Sequence, residues 1–97
     1  KDAEQRLVHL RNRLAKYEIF VAQYYLKRDA NVAALNRGKY VLENYQQTPA
    51  IADALVIMVK AYRKMDMPDL ADDTFRVLSL NAPGHPELLT LSNKKAR

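Results

Sequence analysis

The side chains most able to do chemistry are thinly spread. His9 and His85 are the only histidines, and neither has a second histidine or a carboxylate at metal-ligand spacing, so a zinc site is not expected. Ser79 and Ser92 lack the strand-turn-helix elbow that presents a nucleophile. Asp69, Asp72 and Asp73 look at first like paired catalytic acids, but they gather near the start of a helical stretch, where the helix dipole favours negative charge. A cap and a solvated face account for them more simply. With two glycines there is no glycine-rich phosphate loop, and with no cysteine there is no disulfide, thiolate chemistry or Cys-based metal site. These residues point to no enzyme, no cofactor and no metal, and direct attention to a surface that binds.

Six tyrosines, Tyr17, Tyr24, Tyr25, Tyr40, Tyr45 and Tyr62, are the first candidates for such a surface. Most fall on core stripes, where a tyrosine packs between helices with its hydroxyl at the margin. Tyr24 and Tyr40 are the expected exceptions, because Tyr25 and Val41 better occupy the core positions. Arg37 follows Ala33 by one turn and precedes Tyr40 by three residues, at the border between buried stripe and solvent. Either its stem lies over apolar surface or its planar fork pairs with a partner's carboxylate, and the sequence leaves both open. Arg28, at a hairpin turn, would extend the same basic patch. The net charge of +5, from 16 basic and 11 acidic residues, favours acidic partners. The basic residues are dispersed over several helices without a nucleic-acid motif, so nucleic acid is not expected. Lys94, Lys95 and Arg97 are expected to fray.

Positioning these groups falls to helices. Residues 2–28 contain no proline or glycine, and Leu7, Leu10, Leu14, Tyr17, Val21 and Tyr24 recur in steps of three and four as one apolar stripe. Such a helix reaches about 40 Å, whereas the next, over 31–45, reaches about 22 Å. The half carrying Leu7, Val8 and Leu10 therefore needs another surface: a preceding repeat, or else a different chain. On the second helix Ala34, Gly38, Val41 and Tyr45 share a face, with Gly38 expected to make room for Tyr24 or Tyr25. Thr48 suits a cap and Pro49 a first helical position. A third helix over 50–65 should bury Leu55, Met58, Val59 and Tyr62, and Asp66-Met67-Pro68 should make a turn. After Asn81 the chain breaks. Residues 86–93 form either a short helix, whose Leu88, Leu89 and Leu91 cover the open end, or a disordered tail.

Thirty-seven positions separate Tyr25 from Tyr62, Lys27 from Lys64, Ala34 from Ala71, Val41 from Leu78 and Pro49 from Pro86. Helical-hairpin arrays repeat at 34 residues in tetratricopeptide proteins and at about 40–47 in HEAT or armadillo proteins. The order Met58, Val59, Tyr62, Ala71, Phe75, Leu78, Pro83 resembles the tetratricopeptide signature. Its first copy, Val21, Ala22, Tyr25, Ala34, Gly38, Val41, Gln46, departs at Gly38 and Gln46. The expected fold is all-α, with tetratricopeptide-like antiparallel helical hairpins forming part of an α-solenoid. One unit spans 1–97: a long helix and a second helix over 1–45, a second repeat over 50–81, and a loop with a capping helix or tail over 82–97. No stretch approaches the roughly 18 apolar residues of a membrane span. Because the sequence opens at Lys1, it is expected to be a fragment or processed product.

The run RLVHLRNRLAKYEIFVAQYYLKRDANVAALNR, followed by ALVIMVKAYRKMDM, resembles the carboxyl-terminal half of the BamD family, tetratricopeptide lipoproteins of the outer-membrane β-barrel assembly machine. The likeness runs from about Ala3 to Asn81, and its most specific pieces are RLAKYE, the Tyr24-Tyr25 pair and the Asn36-Arg37 pair. It implies a noncatalytic scaffold on the periplasmic face of the bacterial outer membrane, docking a POTRA domain of BamA and binding other lipoprotein subunits. Carried over by position, it implies that Arg28 and Arg37 lie at or near the BamA contact, with Asn36 and Tyr40 beside them; Tyr24 joins them as a candidate. The family's amino-terminal repeats and lipid-bearing cysteine are not in this sequence, so direct membrane insertion by these residues is not expected. Two other readings make specific demands. A chaperone-type adaptor that clamps a peptide carboxylate needs lysine and asparagine on the concave faces of its first helices, where Ile19, Gln23, Val56 and Lys60 make a poor clamp. A nucleic-acid module needs the dispersed basic residues to converge.

Overall fold

The computed structural model describes residues 2–96, with side chains described through Ser92. Five helices follow one another: α1 (Asp2–Lys27), α2 (Asn31–Asn44), α3 (Ala50–Lys64), α4 (Pro68–Asn81) and α5 (Glu87–Ala96), with no strand among the described residues. The short connections fold α1 to α4 back on one another as consecutive packed neighbours, and the molecule is an all-α stack measuring 49 × 27 × 18 Å.

The 37-residue spacing is written into the backbone hydrogen bonds. At the end of α1 the Ala30 N–H donates to Tyr25 O (2.9 Å) and the Asp29 N–H to Leu26 O (3.1 Å). At the end of α3 the Met67 N–H donates to Tyr62 O (2.9 Å) and the Asp66 N–H to Arg63 O (3.1 Å). Asp29 and Asp66 adopt φ of 62° and 59°, the left-handed conformation that reverses a helix end and that aspartate tolerates better than most residues. The same register continues downstream, where Ala34 N–H to Ala30 O and Ala71 N–H to Met67 O are both 3.0 Å, and Ile51 N–H to Thr48 O is matched by Leu88 N–H to His85 O.

Two apolar clusters share α3. Ala15, Ile19, Ala22 and Leu26 of α1 meet Ala34, Leu35 and Val41 of α2 and Ala54, Ile57, Met58 and Tyr62 of α3. The opposite side of α3 supplies Leu55, Val56 and Val59 to a second cluster with Leu78 and Leu91, both fully buried. A helix flanked on several sides must be apolar on several sides, and α3 is the most hydrophobic of the five.

Several expectations are corrected. The buried face of α1 is Ala15-Ile19-Ala22-Leu26, whereas Leu7, Leu10, Leu14, Tyr17 and Tyr24 are exposed and Val21 is half-buried. Small residues won the interface because they let α2 and α3 approach closely. The larger stripe lies elsewhere on the helix and is uncovered. Gly38 makes room for α3 rather than for Tyr24 or Tyr25: a Cβ there would stand 2.8 Å from Met58 Cγ and 3.3 Å from Ala54 O. Thr48 does not cap α3; its hydroxyl donates to Tyr45 O (2.7 Å), and Pro49 occupies the cap position with φ −61°. Nor does an aspartate cap α4. Met67 holds that position, Pro68 opens the helix, and Asp73 instead accepts from Arg76 at 3.1 Å.

Residues 87–96 are helical, with Leu91 buried, Leu88 half-buried and Leu89 exposed. Arg37 Nη1 and Arg11 Nη2 tie the hairpin further, the latter donating to Asn44 O (3.2 Å) and Gln46 O (3.0 Å) at the carboxyl end of α2, where the dipole favours a cation. Of the basic end expected to fray, Arg97 and the side chains of Lys94 and Lys95 lie outside the described residues. No helix among the described residues is long and apolar enough to cross a membrane.

Candidate protein-binding surface

Arg37 projects from α2 toward α1, where its Nη1 donates to Glu18 Oε1 at 2.8 Å. The carboxylate is mostly covered, at 15% side-chain exposure, while the arginine remains 43% exposed. Among the described residues the guanidinium bonds Glu18 alone, so it presents unused donors to solvent from a fixed position. The border position expected for Arg37 is observed; its first carboxylate partner belongs to the same chain.

Tyr40 stands one turn along α2, exposed, with its ring edge-on to Tyr45 at 6.0 Å. Desolvation, reinforced by the neighbouring Tyr40 and Glu18, pushes the Tyr45 phenol above its ordinary pKa of 10.0, although Arg11 pulls the other way. Asn36 is exposed on the same helix. These three candidates, with Glu18, form one group over the α1–α2 seam.

Tyr24 and Arg28 form a second group at the end of α1. The Arg28 guanidinium lies 5.3 Å from the Tyr24 ring centroid, a cation–π contact, and Tyr24 meets Tyr25 edge-on at 5.9 Å. Ten residues of helix, about 15 Å, separate Glu18 from Arg28. The five candidates therefore fall in two clusters, and the expected patch is half charge-compensated: Glu18 neutralises Arg37, while Arg28 keeps its charge on an aromatic platform.

His85 is engaged within the chain by both ring nitrogens. Its Nδ1 accepts the Glu87 N–H at 3.1 Å, which leaves the protonated Nε2 to donate to Asp53 Oδ1 at 3.0 Å, pinning the 82–86 loop onto α3. No group of three or more possible metal ligands occurs among the described residues.

Sequence reading missed a basic groove between α1, α3 and α5. Lys27, Lys60, Arg63 and Lys64 surround it over a floor of Leu26 and Leu91, enclosing about 340 Å³. Ile19 and Val56, expected to face the concave side, are buried in the two clusters instead. The signal was present in the 37-residue spacing of Lys27 and Lys64, which sets one lysine at the end of α1 and one at the end of α3.

A family described as "YfiO: Outer membrane lipoprotein" matches residues 1–78. The chain belongs to the YfiO family. Among curated relatives, "Outer membrane protein assembly factor BamD" of Neisseria gonorrhoeae is 46% identical over 87 residues, covering 90% of this chain and 33% of the relative. The protein of the same name from Xylella fastidiosa (strain Temecula1 / ATCC 700964) is 44% identical over 87 residues, covering 90% of this chain and 30% of that one. For Pasteurella multocida the figures are 40% over 81 residues, 84% and 31%. The chain thus spans about a third of the length of these YfiO relatives.

Proposed function

We propose that this chain is a noncatalytic scaffold segment in outer-membrane protein assembly, acting on the periplasmic face of the outer membrane and docking a POTRA domain of BamA along the α1–α2 edge. The relatives' name, outer membrane protein assembly factor, supports the process. The contact residues are Arg37, Asn36 and Tyr40 on α2 with Tyr24 on α1 and Arg28 in the turn after it. Other lipoprotein subunits of the same machine would occupy further faces.

The observation that carries the reading is the Arg37–Glu18 pair, in which a buried-side carboxylate orients an arginine that is still open to solvent. An anchor fixed before docking loses little side-chain freedom on binding, and a planar guanidinium can engage a second carboxylate on its free edge. Binding of the 97-residue chain to the periplasmic part of BamA, compared with its Arg37→Leu variant, tests this. Affinity should fall about tenfold or more, as expected when an interface arginine is removed, with helical content retained. Equal affinities would remove Arg37 from the contact.

A further inference from the structure

The basic groove belongs to neither α1–α2 cluster. Nine residues separate Glu18 from Lys27, two and a half helical turns, so the groove and the Arg37 edge lie on opposite sides of α1.

Two of its lysines stand in last turns, where any cation complements the helix dipole. That ordinary role is filled by Lys64, whose ammonium donates to Leu26 O (2.9 Å) and to Asp29 Oδ1 (2.9 Å). It does not explain the rest. Lys27 is exposed and has no hydrogen bond or ion pair among the described residues. Lys60 reaches Glu87 only loosely, at 3.3 Å. Arg63 donates from Nη1 to Leu91 O at 2.7 Å, a neutral acceptor, its guanidinium lies 6.0 Å from the Phe75 ring centroid, and its Nη2 is buried with no hydrogen-bond partner among the described residues. Four cations around the groove thus face two carboxylates, Asp29 and Glu87, leaving an excess of positive charge over an apolar floor.

We propose that this groove binds an extended acidic peptide segment of a partner protein, its carboxylates meeting Lys27 and Lys60 and an intervening apolar side chain resting on Leu26 and Leu91. A mostly apolar lining with cations at its rim matches a strand that alternates acidic and aliphatic residues. It does not match a nucleic acid, whose bases need aromatic platforms, because no aromatic ring lines the groove. The volume lies within the range of small ligand sites and accommodates a side chain with its flanking backbone.

Fluorescence anisotropy with a labelled, terminally blocked Glu-Leu-Asp-Leu-Glu peptide tests the proposal, with the Gln-Leu-Asn-Leu-Gln peptide as its uncharged counterpart. The 97-residue chain should bind the acidic peptide about tenfold or more tightly than the amide one, and salt should weaken the complex. Lys27→Glu should weaken binding by about the same factor, because the side chain is free of internal partners. Lys39→Glu makes the identical change in net charge on the exposed surface of α2 and should leave binding intact. Equal binding of the two peptides, no detectable binding, equal effects of Lys27→Glu and Lys39→Glu, or tighter binding of single-stranded RNA would each overturn the assignment. Circular dichroism of both variants separates loss of binding from loss of fold, and Lys60→Gln provides a second, uncharged substitution at the groove.

Discussion

Gly38→Ala separates two opposing effects whose sizes the structure sets. In an isolated helix alanine is favoured over glycine by about 1 kcal/mol. Here the new Cβ would sit 2.8 Å from Met58 Cγ, about 1 Å inside the optimum for two carbons, and 3.3 Å from the Ala54 carbonyl oxygen. Overpacking of this kind costs about 1–3 kcal/mol, toward the low end where a flexible methionine can swing aside. The net expectation is a loss of about 0–2 kcal/mol. The discriminating measurement repeats the substitution in a Met58→Ala background, where the closest clash is gone and the helix preference survives, offset only by the tight Ala54 oxygen. Gly38→Ala should then be neutral or stabilising, so the two backgrounds differ by about 1–2 kcal/mol. Urea denaturation followed at 222 nm resolves this, since a slope of about 1–2 kcal/mol/M for a chain of this size turns the difference into a midpoint change near 1 M. Equal stabilisation in both backgrounds would refute the close approach of α2 to α3.

Glu18→Gln should act with the same sign in two assays: urea stability falls by about 1 kcal/mol as the partly screened pair with Arg37 loses its charge, and affinity for the periplasmic part of BamA falls as well because the guanidinium is no longer held in place before docking. The Tyr45 phenol, raised above its ordinary pKa of 10.0 in the fold, ionises first in the unfolded chain. Stability contributed by the neutral phenol is therefore complete below pH 10 and lost as pH climbs through and past that value, and Tyr45→Phe should flatten this alkaline decline in a pH series of thermal melts.

The hairpin architecture was legible because punctuation and periodicity agree. Met67-Pro68, the repeat of Tyr25 and Tyr62, and the Ala34–Ala71 match all mark positions fixed by backbone geometry, and the left-handed Asp29 and Asp66 obey the same register. The face of α1 was misread because leucine and tyrosine outweigh alanine in any hydrophobic tally, whereas packing density at a close interface rewards Ala15 and Ala22. Caps failed for a related reason: Thr48 and the α4 aspartates have suitable chemistry, yet alternative acceptors and a proline decided the outcome. Among the candidates, exposure of Tyr24 and Tyr40 followed from their neighbours' claims on the core. The Glu18 partner of Arg37 did not, since no local rule links residues nineteen positions apart.

Because α3 contributes to both apolar clusters, neither hairpin can melt and leave the other whole: stripping away α1 and α2 uncovers Ile57 and Met58, and stripping away α4 and α5 uncovers Val56 and Val59. Nearest-neighbour coupling of this strength merges the two units into a single cooperative transition. A partner that grips one flank thereby restrains the other, so occupancy at either surface steadies the whole rod.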